Sequence, residues 1–238
     1  MTSLGHPLAP PPAQQRGAGD ALLDAQGHLV RARRRVEELR DTVKSAARVA
    51  EDIAQVADRA RREGIDGGRG ALQDAAEDLV RLHGRCELST EVASGLTQDL
   101  DQAAAAVSRA RHEATGEQLQ LLAPRLDALE DTIEVSRPVA RAASHHLHCA
   151  EEICGDTAAI GLTNPSQLEH RLDATDRRLE RVDEDVRLLE VVTERAVKTA
   201  ERSTTQVDDA TEVARDRMAR AHRTNPLPGP VSHAGPPR

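Results

Sequence analysis

No phenylalanine, tyrosine or tryptophan occurs among the 238 residues, and there are only two methionines. A mixed α/β or all-β core of this size normally fills irregular space with aromatic side chains. Strands are also enriched in them, so their absence argues against both classes. Cysteine is nearly as scarce. Three is an odd number and fits a reducing compartment better than a disulfide framework, so the cytoplasm is the expected location. Positive charge is in deficit as well: the net charge of −8 argues against nonspecific nucleic-acid binding, which needs a basic surplus to neutralise phosphates. No run approaches the roughly 18 consecutive apolar residues of a transmembrane helix. The N-terminus likewise lacks the apolar stretch of a signal peptide.

What is present is alanine, leucine, glutamate, aspartate and arginine in quantity, the composition of long helices. Residues 1–18, rich in Pro, Gly and Gln, read as a disordered leader, and residues 223–238 as a disordered proline-rich tail. Between them lie four heptad tracts. The first sets Leu22, Leu29, Val36, Val43, Ala50 and Ala57 at a, and Ala25, Ala32, Leu39, Ala46, Ile53 and Ala60 at d. The second runs from Leu72 at a to Ala110 at d, the third from Leu119 at a to Thr157 at d, and the fourth from Leu168 at d to Ala214 at a. Spacing of this kind, sustained over many heptads, predicts coiled-coil packing.

Glycines mark the breaks: Gly64 to Gly70 between tracts one and two, Thr115-Gly116 between two and three, and Gly155 to Asn164 between three and four. Asn164-Pro165 has the form of an N-cap followed by a proline in the first turn. The helices are expected at about 19–63, 71–113, 117–155 and 165–222, and connections this short imply antiparallel neighbours. Large residues in one tract fall opposite small ones in the next when the hairpins are closed: Ala50 on Leu82, Leu39 on Ala93 and Ala32 on Leu100, then Leu129 on Ala196 and Leu126 on Ala200. Such interdigitation reaches native density without aromatics. The expected fold is therefore all-α, a long antiparallel up-down-up-down four-helix bundle spanning 19–222, with a dimer of helical hairpins as the structural alternative. Pro124 and Pro138 fall at f, the outermost position of tract three. Pro138 must cost a backbone hydrogen bond to Glu134 and is expected to bend the helix.

The ten residues HHLHCAEEIC, His145 to Cys154, invite a metal reading. Heptad position places His145, Cys149 and Glu152 on one outward face at i, i+4 and i+7, with His148 one turn from Glu152. Cys154 points into the core. Surface i, i+4 pairs can chelate Zn²⁺, Ni²⁺ or Cu²⁺, but one helix rarely encloses a tetrahedral site. His145, His148, Cys149 and Glu152 are thus candidate ligands of a weak surface site, and no dedicated cofactor is expected. Other chemistry lacks its motif. None of the ten histidines follows a Glu by three residues, as a di-iron bundle requires. GIDGGRG has neither the spacing nor the Lys-Ser/Thr of a phosphate loop. The carboxylates fall on b, c, e, f and g, where they should be solvated. Cys86 and Cys154 are both core positions. The heptad alignment sets Cys86 against Ala143, about 16 Å along the axis from Cys154, too far for a disulfide.

Apolar residues off the core seam supply the remaining signal. Leu188 is at c and Val191 at f, with Val192 at g widening the patch toward the seam. The fourth tract also overruns the bundle. Val207 should be level with Leu22, yet the pattern continues through Ala210, Val213, Ala214 and Met218 to about Ala221, broken by Arg217 at d. Leu23 and Val30 sit at b of helix one beside that end. These residues form a candidate contact surface for a protein partner or a second copy. The expected function is a non-enzymatic structural or interaction module presenting helix faces. A ligand- or metal-sensing bundle is the alternative, and a peripheral lipid-surface binder the third. The sensor needs a roomy polar gap that Ala/Leu pairing does not leave. The lipid binder needs a basic face opposite bulky apolar residues.

Overall fold

In the computed structural model, residues 12–67, 69–114, 116–160 and 165–224 are described. They form four helices and no strand: α1 (Pro12–Gly67), α2 (Arg69–Glu113), α3 (Gly116–Ile160) and α4 (Pro165–Thr224). Each packs on its two neighbours in a closed ring, α1 on α2, α2 on α3, α3 on α4 and α4 back on α1, and among the described residues no helices pack diagonally. Cross-helix contacts fix every pair as antiparallel. Asp24 meets Arg109 and Asp99 meets Arg31 across α1–α2; Arg40 meets Glu190 and Gln26 meets Thr204 across α1–α4. Asp101 meets Arg137 across α2–α3, and His146 meets Arg178 across α3–α4. The protein is an up-down-up-down four-helix bundle.

The heptad positions explain why. Every described a and d side chain from Leu22 to Val207 is buried, except Leu119, which is half-buried. The polar residues in that seam, Ser89, Ser136, Thr157, Thr175, Thr193 and Ser203, each donate their hydroxyl to the carbonyl four residues back. They are satisfied within their own helices and need no water or polar cavity. Pairing across α1–α2 and α1–α4 follows the expected alignment; Gly19, for instance, lies against Val207.

Several boundaries differ from expectation. α1 begins at Pro12 rather than near residue 19, and Ala18 is fully buried. Proline is tolerated in a first turn because its missing N–H would have no intrahelical partner. Gly17 and Gly19 serve close approach to Glu113 and Val207 rather than disorder. α1 also runs through Gly64 to Gly67, and α3 continues past Gly155 to Ile160. Gly155 sits under the His83 ring, where an added Cβ would crowd it at 3.3 Å. Between α2 and α3 the expected break holds: Gly116 takes φ +56°, a left-handed conformation that glycine adopts without strain. α3 runs unbroken through Pro124 and Pro138, both exposed. The leader before residue 12, Asn164 and the tail after residue 224 lie outside the described residues.

Two packing expectations are overturned. The first concerns α2 and α3. His83 Nδ1 lies 3.2 Å from the Glu151 carbonyl, and Arg137 holds Asp101, so α3 is displaced along α2 by roughly two turns from the alignment that opposed Cys86 to Ala143. Cys86 and Cys154 are consequently neighbours in the core, where Cys154 Sγ lies 3.7 Å from Thr175 Oγ1. The adjoining Cys154 thiol, with burial, pushes the Cys86 pKa far above the ordinary thiol range. Both cysteines are free thiols. Heptad counting fixes which face is buried but not axial offset, because any slide that keeps a and d inward preserves the pattern.

The second concerns Asp99, expected to be solvated at g. It is 5 % exposed and accepts from Arg35 Nε at 2.8 Å and Arg31 Nε at 3.2 Å, with His28 Nδ1 at 3.6 Å. The α1–α2 interface is wider than the a/d seam: Val92 and Ala106, also at g of α2, are buried with it. Gly95 makes room for this clamp. A Cβ there would fall 2.1 Å from the Arg35 guanidinium.

Leu82→Asp or Leu126→Asp, each at a fully buried site, should abolish cooperative folding, because an unpaired buried carboxylate costs several kcal/mol. Circular dichroism melts would show the loss of helicity, and a variant that stayed folded would contradict the core assignment.

Candidate functional site

α4 carries the apolar residues that the seam does not use. At 60 residues it is the longest helix, and its outer side exposes Leu188 at 46 % and Val191 at 68 %. Leu188 at c and Val191 at f are turned from the core because a and d on either side, Val186, Leu189 and Thr193, fill it. Val192 is half-buried against the seam. Val191 borders a surface cleft of about 440 Å³ where α4 meets α1. Buried Val36 contributes to the lining, and charges of both signs rim the cleft. Arg40 Nη1 donates to Glu190 Oε1 at 2.9 Å, and Arg33 Nη1 to Glu194 Oε2 at 3.3 Å. Lys198, which hydrogen-bonds Glu194 at 2.8 Å, is the main cause holding that carboxyl below the usual range. The cleft is therefore an apolar spot inside a ring of ionised, already paired groups. It can take an apolar side chain without stranding a charge.

The remaining contact candidates lie toward the other end of α4. Leu23, Val30 and Val213 are exposed as expected, while the Met218 side chain lies outside the described residues. Val80, Leu121 and Val135 are equally exposed on α2 and α3. Their b and c positions could have flagged them in the sequence, but they stand singly, as surface apolar residues commonly do.

The candidate metal ligands separate into two pairs. Cys149 Sγ lies 3.9 Å from His145 Nε2, and His148 Nε2 lies 3.4 Å from Glu152 Oε1. Among the described residues no three His, Cys, Asp or Glu side chains converge on a point that could hold an ion. The helix sets the pairs on adjacent stripes, so each can offer two donors and no more. A second cleft, about 520 Å³, runs along the outside of α2 and α3 between Ser94, Gln98, Asp101 and Arg141. Ser94, Gln98 and Arg141 are solvent-exposed, so it is a groove on the surface and not a gap between helices. No described helix is long and apolar enough to cross a membrane. No family model matches this chain, and neither the curated proteins nor the solved structures contain a match.

His146, at g beside the metal candidates, faces the α3–α4 seam. Arg178 Nη1 donates to its Nδ1 at 3.1 Å, which requires that nitrogen to be unprotonated. Burial, followed by the Arg178 and Arg181 charges, depresses its pKa below the ordinary 6.5, with Asp185 opposing. A folded-state pKa below the unfolded one means the unfolded chain takes up the proton first as pH falls. The stabilisation is complete above about pH 6.5 and is lost on acidification through the folded-state value. The melting temperature should fall between neutral pH and about pH 5.5, and His146→Gln should flatten that slope. An unchanged slope in the variant would assign the acid sensitivity elsewhere.

Zn²⁺ or Ni²⁺ should bind only weakly at the His145/Cys149 and His148/Glu152 pairs, without altering the thermal melt. Calorimetric titration of wild type against His145→Ala, Cys149→Ala would measure it. Tight stoichiometric uptake, or unfolding by a chelator, would restore a dedicated metal site.

Proposed function

We propose that this chain is a non-enzymatic interaction module whose bundle holds the outer face of α4 as a rigid docking surface for a partner helix. The observation that carries the reading is Val191, the most exposed of the large apolar side chains in the described residues, standing at the rim of the α1–α4 cleft. Leu188 and Val191 are spaced i, i+3, so they project from one side of the helix about one turn apart. An amphipathic helix lying along α4 would insert one apolar residue beside Val191 and bring mixed charges to the rim formed by Arg33, Arg40, Glu190 and Glu194. Each apolar side chain of that size contributes roughly 1.5–3 kcal/mol when buried, so two support a weak, reversible complex.

A sensing or lipid-surface role draws less support. Among the described residues the hydroxyls of the a/d seam are satisfied by backbone carbonyls, so none is left unpaired in the seam to receive a ligand. The exposed apolar residues are ringed by acids as well as arginines, where anionic lipid would call for a basic face.

Leu188→Glu, Val191→Glu should abolish capture of the partner while leaving circular dichroism unchanged, because neither side chain supports the core. Hydrogen exchange on the wild-type complex should show protection across residues 186–198. If the double variant retains its partner and those residues exchange freely in the complex, the α4 face is surface only.

A further inference from the structure

The end of α4 leaves the bundle. Val207 is the last fully seated position of its seam, level with Gly19 of α1. Glu113, the last residue of α2, lies against Gly17, and α3 begins at Gly116 on the same side. α4 nevertheless continues to Thr224, about 26 Å of helix beyond Val207 at 1.5 Å per residue, and α1, which starts at Pro12, runs beside only its first two turns. Along it the heptad persists while burial stops: Ala210 at d is exposed and Ala214 at a is half-buried, with exposed Val213 beside them. A helix of this length is marginal in water on its own.

Its charges are sorted along the axis. Asp208, Asp209 and Glu212 occupy the first half; Arg215, Arg217 and Arg220 dominate the second. All six are exposed. We propose that a second copy of this chain docks here, overhang against overhang and antiparallel, making the bundle one half of an end-to-end dimer. In that orientation the acidic half of each overhang lies along the basic half of the other, and Arg217, the charged residue in an otherwise small-residue seam, runs beside the opposing acids. Parallel pairing sets acid on acid and base on base. Small residues at Ala210 and Ala214 permit the close approach that brings the flanking charges within reach.

This rests on reading α4 as an interaction element, but it uses a different stretch of the helix from the Leu188–Val191 face, so the two can fail separately. Sedimentation equilibrium of the full chain should show a dimer in the micromolar range, weakening as salt is raised. Asp208→Lys, Asp209→Lys, Glu212→Lys should raise the dimer dissociation constant at least about tenfold through like-charge repulsion, as should Arg215→Glu, Arg217→Glu, Arg220→Glu. Mixing the two variants in equal amounts should restore the dimer. Hydrogen exchange at residues 208–220 of the wild type should slow as protein concentration rises, a readout independent of whether the variants keep their helicity. A monomeric wild type would overturn the proposal, including one whose overhang is protected at every concentration by its own chain. A dimer that survives both reversals would overturn it too. Loss of the dimer in Leu188→Glu, Val191→Glu would move self-association to the outer face, whereas loss of the partner alone in that variant leaves the overhang dimer standing.

Discussion

Alanine against leucine is the contact on which the rest of this bundle depends. With no aromatic side chain available, volume between helices must be removed rather than filled, and small residues interspersed through the seam let the backbones approach. Leu39 over Ala93 and Ala32 over Leu100 are fully buried pairs of this type. The consequence is length: when each layer buries little apolar area, stability has to be accumulated over many layers. Helices of 45 to 60 residues follow from that.

Close approach also draws polar groups inward. Where α1 and α2 come together, the buried stripe widens to take in g, and Asp99 is carried inside with Arg31, Arg35 and His28 arranged around it. A lone buried carboxylate would oppose folding, whereas one accepting from two guanidinium groups whose outer edges remain in water is tolerated. The arrangement helps fix register, because Arg31 and Arg35 stand one turn apart on either side of Asp99 and sliding α2 by one turn would leave it only one of them. Gly95, one turn before it, is the vacancy through which Arg35 reaches.

A core satisfied in this way leaves little inside for chemistry. The seam hydroxyls are bonded to their own helices, the His145–Cys149 and His148–Glu152 pairs lie outside, and both clefts follow the surface. Whatever the chain does is therefore best sought where apolar groups or sorted charges remain uncovered, and both occur on α4. Its mid-length face offers an apolar rim between paired ions, and its end offers a helix whose described side chains beyond Val207 are mostly exposed.

The sequence determined the faces. Period assigned the buried stripe of each helix correctly from Leu22 to Val207 and the exposure of Leu188, Val191 and Val213. Short connections gave the antiparallel topology, and closing the hairpins with large residues on small gave the α1–α2 and α1–α4 registers. These succeed because one side of a helix must leave water and short connections leave only adjacent partners. Tertiary structure decided what periodicity cannot encode. Glycine and proline composition near residues 12–19 and 64–67 resembles a loop but is helical; at Gly17 and Gly19 neighbouring side chains occupy the space that absent Cβ atoms leave. The α2–α3 offset, and with it the meeting of Cys86 and Cys154, depends on how far α3 slides along α2, and every slide that keeps the stripe inward reads the same in a heptad count. Burial of Asp99 depends on the distance between two helices, which is set by side chains on both of them and is written in neither one alone.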